Sequence, residues 1–199
     1  MSNGQSSASM DGVNPKYLFW ACWVALVSTA FVFIVRAQIL SEWGTEFKLD
    51  NTQMGRIGGA GLWPFAFTIV LFSLIIDKIG YGRAMAFAWV CHVTSVILTV
   101  TAKNYQMLYI GTIVAALGNG TVEAVINPVV ATMFAKDKVK WLNMLHAGWP
   151  GGLVVGALDD GPHVLLGLAL TREQVVFVIS GVLRLAALPW AFRLPDARS

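Results

Sequence analysis

The chain has 199 residues, of which 56% are hydrophobic and only 13% are charged. Soluble globular domains carry about 25% charged residues, and the mean hydropathy here is +0.65, so the composition predicts a protein that lies in a lipid bilayer. The formal net charge is only +3. Because the sequence shows no basic stripe of the kind that binds a phosphate backbone, it does not support nucleic acid as a partner.

The first 16 residues are polar and rich in Ser, Asn and Gly. A segment of this composition buries too little apolar surface to fold, so residues 1–16 are predicted to be a disordered tail. They do not resemble a signal peptide, because no basic segment precedes a short apolar one and no small-residue cleavage site follows.

Six apolar segments follow, and each reaches or approaches the roughly 20 residues that a helix needs to cross the hydrocarbon core. Cys22 and Cys91 fall inside such segments and are interpreted as small apolar residues, with no disulfide or metal role. Strand alternation is absent. We therefore predict an all-α membrane domain over 17–192, with a tail over 193–199. The predicted spans are 17–35, 57–76, 84–102, 105–135, 141–158 and 174–192, the last interrupted by Arg184.

The distribution of basic residues predicts the orientation. Loops on the side of the N-terminus carry eight Lys and Arg residues, and loops on the opposite side carry four. By the positive-inside rule, both termini of a six-helix protein then lie in the cytoplasm. The eight are Lys16, Lys78, Arg83, Lys136, Lys138, Lys140, Arg193 and Arg198, and the four are Lys48, Arg56, Lys103 and Arg172.

Arg36 is a charge near the outer end of the first span. Residues 17–40 have their midpoint near Ser28 or Thr29, so at 1.5 Å per residue Arg36 lies about 12 Å toward the outer face. One interpretation is that its side chain reaches up to the outer interface. The other is that it contacts a solute in an outer vestibule, which an anionic or hydroxyl-rich group would favour.

The turn between the second and third spans reads SLIIDKIGYGRAM. Its glycines fit a tight hairpin, and its charges fit a latch between Asp77 and Arg83. This stretch resembles the signature Gly-x-x-x-Asp-Arg/Lys-x-Gly-x-x-Arg/Lys of the major facilitator superfamily, at Asp77, Lys78, Gly80 and, with one residue of ambiguity, Arg83. Ser73 stands where the family has glycine. The resemblance implies a cytoplasmic gating loop and half of a major facilitator fold, in which two three-helix repeats are inverted.

The fourth span contains Asn119, Glu123 and Asn127 at four-residue intervals, so all three lie on one helical face. A charged carboxylate at mid-membrane costs about 2.5–3.5 kcal/mol. Glu123 should therefore face a cavity, be paired or be protonated. Pro128 leaves the carbonyl of Ala124 without its helical donor. The alternative is that these polar residues only hold neighbouring helices together.

The pattern Gly118-x-Gly120-x-x-Glu123-x-x-x-Asn127-Pro128 also resembles the fourth helix of the fucose and glucose/galactose permease branch. The resemblance implies a secondary active transporter in the cell membrane, not an enzyme, that moves a small polar solute such as a sugar. It implies proton coupling at Glu123 and no cofactor or metal. Gln38 stands where that branch has a first-helix acid, which argues against a second coupling site.

The fifth span repeats a motif of the second, since AGLWP at 60–64 is echoed by AGWP at 147–150. Two inverted three-helix repeats would place matching motifs there. Glycines at 148, 152 and 156 predict close helix packing. His146 either reaches the cavity of Glu123 or lies at the interface.

Transporters of the family have twelve helices, so the resemblance covers a half-length unit. We expect it to work as a homodimer or with a separate C-terminal half. The alternative is a non-transporting remnant or a membrane assembly partner. Residues 159–162 predict a turn, and the stretch 161–170 is too short to span, so 159–172 are predicted to be a loop or an interfacial segment.

Overall fold

The computed structural model describes residues 14–157, 163–165 and 168–170. These ranges contain eight helices and one pair of short strands. The helices are α1 (Pro15–Gln38), α2 (Leu40–Glu46), α3 (Asn51–Ala60), α4 (Trp63–Ile79), α5 (Tyr81–Val100), α6 (Tyr105–Met133), α7 (Lys138–His146) and α8 (Gly148–Ala157). The strands β1 (His163–Leu165) and β2 (Leu168–Leu170) pair antiparallel. The predicted all-α membrane fold is confirmed, and the small hairpin lies in the stretch that was predicted to be a loop or interfacial segment.

Four stretches of the described chain are long and apolar enough to cross a membrane: Pro15–Gln38, Asn51–Ile79, Tyr81–Val100 and Tyr105–Met133. They coincide with the first four predicted spans. The fifth predicted span, 141–158, is divided between α7 and α8. The predicted sixth span and both predicted tails lie outside the described residues, apart from 14–16.

Side chains of Asn and Asp mark where three of the helices begin. Asn14 Oδ1 accepts a hydrogen bond from the backbone N–H of Lys16 at 3.0 Å, and Asn104 Oδ1 accepts one from Met107 N at 3.0 Å. Asp50 and Gln53 form a reciprocal capping box at the start of α3. These side chains satisfy N–H groups that have no partner within the helix.

The second span is interrupted between α3 and α4, which corrects the prediction of one continuous helix over 57–76. Gly61 N and Leu62 N donate to carbonyls only three residues back. Pro64 has no N–H to donate to the carbonyl of Ala60, so the regular ladder cannot continue there. The boundary between α7 and α8 likewise falls at Ala147, three residues before Pro150. Both copies of the repeated motif therefore mark helix boundaries, while the inverted-repeat arrangement stays a prediction.

Helix α6 lies at the centre of the described bundle. In its most apolar window 72% of the residues are buried, against 28% for the second and third spans. Large apolar side chains of α4 and α5, such as Leu74 and Ile97, are exposed. Acyl chains of a bilayer can solvate such surfaces as well as protein does.

Two glycines bring helix backbones into direct contact. A Cβ atom added to Gly120 of α6 would lie 2.5 Å from the carbonyl oxygen of Phe65 in α4. One added to Gly152 of α8 would lie 2.6 Å from the carbonyl oxygen of Val27 in α1. A Cβ atom added to Gly148 would lie 3.0 Å from Nε1 of the Trp23 ring, a side-chain neighbour on α1. The close packing predicted for Gly148 and Gly152 is confirmed.

Candidate functional site

The guanidinium of Arg36 joins three helices. Its Nη1 donates to Thr112 Oγ1 of α6 at 3.0 Å. Its Nη2 donates to Ser95 Oγ at 2.8 Å and to Thr99 Oγ1 at 3.0 Å, both on α5. The guanidinium carbon also lies 5.9 Å from the centre of the Trp43 ring, within cation–π range. The side chain therefore points into the bundle, which contradicts the interpretation that it reaches up to the outer interface.

The hydroxyls of Ser95 and Thr112 also donate hydrogen bonds to backbone carbonyls. Ser95 Oγ donates to the carbonyl of Gly111 at 2.7 Å, and Thr112 Oγ1 donates to the carbonyl of Leu108 at 2.8 Å. Each hydroxyl thus accepts from the guanidinium and donates to a backbone carbonyl. Such a chain of hydrogen bonds is stronger in low-dielectric surroundings than in water, so it fixes Arg36 in position.

A cavity of about 150 Å³ opens beside this network. Its wall includes Arg36 of α1, Gly58 of α3, Gly61 in the turn after α3, and Thr112 and Asn119 of α6. Its remaining lining residues are Phe33, Ala37, Leu40, Ile57 and Ala115. The cavity is therefore mostly apolar with a few convergent polar groups, as small-molecule sites usually are.

Glu123 and Asn127 form a second polar group further along α6. Asn127 Nδ2 donates to Glu123 Oε2 at 3.3 Å, so the two side chains share a face as predicted. The Glu123 side chain is only 7% exposed. His146 at the end of α7 lies close enough to interact with the carboxylate electrostatically. Asn127 Oδ1 is buried, and no described residue donates a hydrogen bond to it.

The predicted pathway residues thus fall into two groups. Arg36 and Asn119 line the cavity, whereas Glu123 and Asn127 lie further along α6, where His146 of α7 interacts electrostatically with Glu123. Asn119 and Glu123 are four residues apart, which is about 6 Å along the helix axis. Gln38 is exposed at the end of α1 and is not part of the cavity wall. The functional roles of all six residues stay predictions.

Sequence reasoning missed the polar face of α5. His92, Ser95 and Thr99 are spaced by three and four residues, so they lie on one side of the helix, and this spacing was visible in the sequence. His92 packs on α6, where a Cβ atom on Gly118 would lie 2.8 Å from His92 Cε1. The face was overlooked because a hydroxyl in an apolar span can bond its own helix and needs no partner elsewhere.

The predicted gating loop is a connection of one residue. Gly80 separates α4 from α5 with φ 81° and ψ 150°, a backbone conformation that is almost restricted to glycine. Asp77 lies close enough to Tyr81 for electrostatic interaction. Lys78 and Arg83 are exposed. The latch between Asp77 and Arg83 stays a prediction.

A family comparison matches nearly the whole chain, whereas a search of curated proteins found no match. The family model matches residues 18–199, which includes the hairpin at Gly80, the Arg36 network and the polar face of α6. The match extends past the described helices to the last residue. On this evidence the chain belongs to the Major Facilitator Superfamily and is a membrane transporter.

Proposed function

We propose that this membrane transporter is a secondary active carrier in the cell membrane that moves a small polar solute, such as a sugar, together with protons. The observation that carries the proposal is the buried Glu123 carboxylate, which accepts a hydrogen bond from Asn127 and interacts electrostatically with His146. An ionisable carboxylate inside a membrane span is expensive to maintain and usually marks a proton or solute path.

The chemistry of the pair fits proton exchange. A proton that binds Glu123 removes a buried negative charge, which costs about 2.5–3.5 kcal/mol at mid-membrane. Loss of that proton to the opposite side restores the carboxylate, which the nearby His146 and the amide of Asn127 stabilise. Glu123 can therefore alternate between two states, and the two need not prefer the same conformation of the carrier.

The solute contacts that we propose are hydrogen bonds. Asn127 Oδ1, to which no described residue donates, is suited to accept one from a solute hydroxyl. Asn119 and Arg36 line the cavity on the predicted outer side of this pair, where we propose that the solute contacts the wall. Gln38 and His146 are exposed at the two ends of this path. We propose that a second six-helix unit, either another copy or a separate C-terminal half, closes the path.

The test is Glu123→Gln in proteoliposomes that contain the complete transporting unit. Glutamine keeps the shape and a hydrogen-bond acceptor but cannot exchange a proton. We expect uptake driven by a proton gradient to fail, while solute counterflow without a gradient persists. Glu42→Gln is the matched control, because Glu42 is an exposed carboxylate on α2 that only Ser41 contacts among the described hydrogen bonds.

Gradient-driven uptake by Glu123→Gln that equals the wild type would exclude the coupling role and leave Glu123 as a helix-packing residue. The absence of uptake by the wild type, in either assembly, would favour the alternative of an assembly partner without transport. Loss of counterflow along with coupled uptake would indicate that Glu123 binds the solute itself.

A further inference from the structure

Four exposed lysines lie close together at one end of the described bundle, and we call them the basic patch. Lys16 is in the first turn of α1, where the first membrane-crossing stretch begins, and Lys136 lies three residues after the fourth such stretch ends at Met133. Lys138 and Lys140 are in the first turn of α7. The patch therefore flanks the points at which α1 and α6 would leave a bilayer on one side.

Contacts between three aromatic rings show that these segments are neighbours. The Trp141 ring of α7 stacks on the ring of Phe134, which follows α6, with centroids 3.9 Å apart. The centroid of the same Trp141 ring lies 4.8 Å from that of Phe19 on α1. Each lysine of the basic patch is within three residues of one of these rings in the sequence. Because three residues of a helix rise only about 4.5 Å, the four lysines are gathered around one contact.

Acidic residues compensate the charge of the basic patch only in part. In α1, and from the end of α6 through α7, Asp137 is the one acidic residue, so four lysines against one aspartate leave an excess of three positive charges. The α4–α5 connection on the same side carries Asp77 together with Lys78 and Arg83, so it adds no net negative charge. The exposed charges of the described chain at the opposite end are balanced, with three basic and three acidic residues: Lys48, Arg56, Lys103, Glu42, Glu46 and Asp50.

Exposed apolar side chains lie directly beside the lysines. Val139, between Lys138 and Lys140, is 67% exposed, and Trp20, one turn after Lys16 on α1, is 53% exposed. Tryptophan side chains near the ends of membrane spans lie at the level of the lipid headgroups. A soluble anion would leave these apolar side chains uncovered, whereas a phospholipid offers a phosphate to the lysines and acyl chains to the apolar surface.

We propose that the basic patch binds the headgroups of anionic phospholipids, such as phosphatidylglycerol, in the leaflet on the predicted cytoplasmic side. Lysine clusters next to a membrane span are attracted to an anionic lipid surface, and each lysine strengthens binding by about fivefold. The ammonium groups donate to the phosphate, while Val139 and Trp20 contact the upper part of the acyl chains. This inference goes beyond the proposed solute transport and does not require Glu123 to carry protons.

The experiment is native mass spectrometry of the purified protein in an uncharged detergent, titrated with phosphatidylglycerol or with phosphatidylcholine of the same acyl chains. The two lipids differ in net charge, since phosphatidylcholine is zwitterionic. We expect phosphatidylglycerol to bind more tightly, by about fivefold or more. Glycerol 3-phosphate, which carries a phosphate without acyl chains, should not displace phosphatidylglycerol at equal concentration.

Two changes of opposite sign locate the site. The double variant Lys138→Gln with Lys140→Gln should lower the affinity for phosphatidylglycerol by about tenfold or more, since half of the positive charge of the patch is lost. Asp137→Asn should raise that affinity by about twofold to fivefold, because it removes the acidic residue beside the patch. The Asp137 side chain is exposed and makes no hydrogen bond that caps α7, so its neutralisation should leave the helix intact.

Lys48→Gln with Lys103→Gln is the matched control, because both lysines are exposed and lie at the opposite end of the bundle. Its affinity for phosphatidylglycerol should equal that of the wild type. The proposal is wrong if phosphatidylcholine binds as tightly, if both lysine pairs lose the same affinity, if Asp137→Asn does not strengthen binding, or if glycerol 3-phosphate displaces the lipid. None of these results depends on uptake or counterflow, so this proposal and the proton-coupling proposal can fail separately.

Discussion

Single residues show how a positive charge is accommodated within the bundle. Arg36 donates to Ser95, Thr99 and Thr112, and the ring of Trp43 lies within cation–π range of it. Removing one of these acceptors leaves a buried donor of a charged group with less compensation, which costs more than the loss of a neutral hydrogen bond.

Ser95→Ala should therefore destabilise the protein by about 1.5–3 kcal/mol, since Ser95 accepts from Arg36 at 2.8 Å and donates to the Gly111 carbonyl at 2.7 Å. Thermal unfolding in detergent, followed by circular dichroism, measures the effect. Thr101→Ala is the control, because the exposed hydroxyl of Thr101 bonds only its own helix, at the Ile97 carbonyl. Equal unfolding temperatures for Ser95→Ala and Thr101→Ala would contradict a stabilising role for the network.

The sequence predicted where the polar residues lie along each helix better than it predicted which residues they contact. The position of Arg36 followed from span length, and the common face of Glu123 and Asn127 followed from helical spacing. The contacts of Arg36 with α5 did not, because they depend on how separate helices pack. Sequence spacing fixes which residues share a helix face, whereas contacts between helices are set by packing across distant parts of the chain.

Two helix boundaries fall at the repeated AGLWP and AGWP motifs. The repeated motif was interpreted as a sign of internal symmetry, and the structure shows that each copy also marks a helix boundary, at Gly61 and at Ala147. Pro64 and Pro150 favour a boundary at these places, since each lacks an N–H for the carbonyl four residues earlier, although Pro128 lies within the continuous α6. Apolar runs alone could not reveal these boundaries, because the residues around them are as hydrophobic as the rest of the span.

The contact of α6 with α4 gives a prediction about helix packing. Gly120→Ala should destabilise the protein by about 1–3 kcal/mol, since the new methyl group would meet the backbone oxygen of Phe65 at 2.5 Å. Gly59→Ala is the matched control within a helix. An added Cβ there has nothing within 4 Å, and alanine favours helix over glycine by about 0.8–1.0 kcal/mol.

Chemical denaturation of both variants in the same detergent measures this difference. We expect Gly120→Ala to unfold at a lower denaturant concentration than the wild type, and Gly59→Ala at an equal or higher one. A Gly120→Ala variant as stable as the wild type would show that α4 and α6 can separate at low cost.

For the whole molecule, the charge asymmetry predicts the orientation in the membrane. Residue 104 precedes α6 and residue 137 precedes α7, so they lie near opposite ends of the long helix. With both termini in the cytoplasm, residue 104 faces outward and residue 137 inward.

Single cysteines at these positions test the orientation. Asn104→Cys should react with a membrane-impermeant maleimide added to intact cells, and Asp137→Cys should react only after lysis. Neither change removes a basic residue, and the natural Cys22 and Cys91 are buried, so background labelling should be low. Labelling of Asp137→Cys in intact cells would overturn the predicted topology.

The single-residue connection at Gly80 limits how the bundle can move. Consecutive Cα atoms are about 3.8 Å apart, so the end of α4 at Ile79 and the start of α5 at Tyr81 cannot be more than about 7 Å apart. At that end the two helices are covalently tethered and can separate very little. The four residues between α6 and α7 allow a larger separation of those helix ends. The predicted topology places Gly80 on the cytoplasmic side, and on that topology a gap that opens inward would have to form elsewhere than between these ends of α4 and α5.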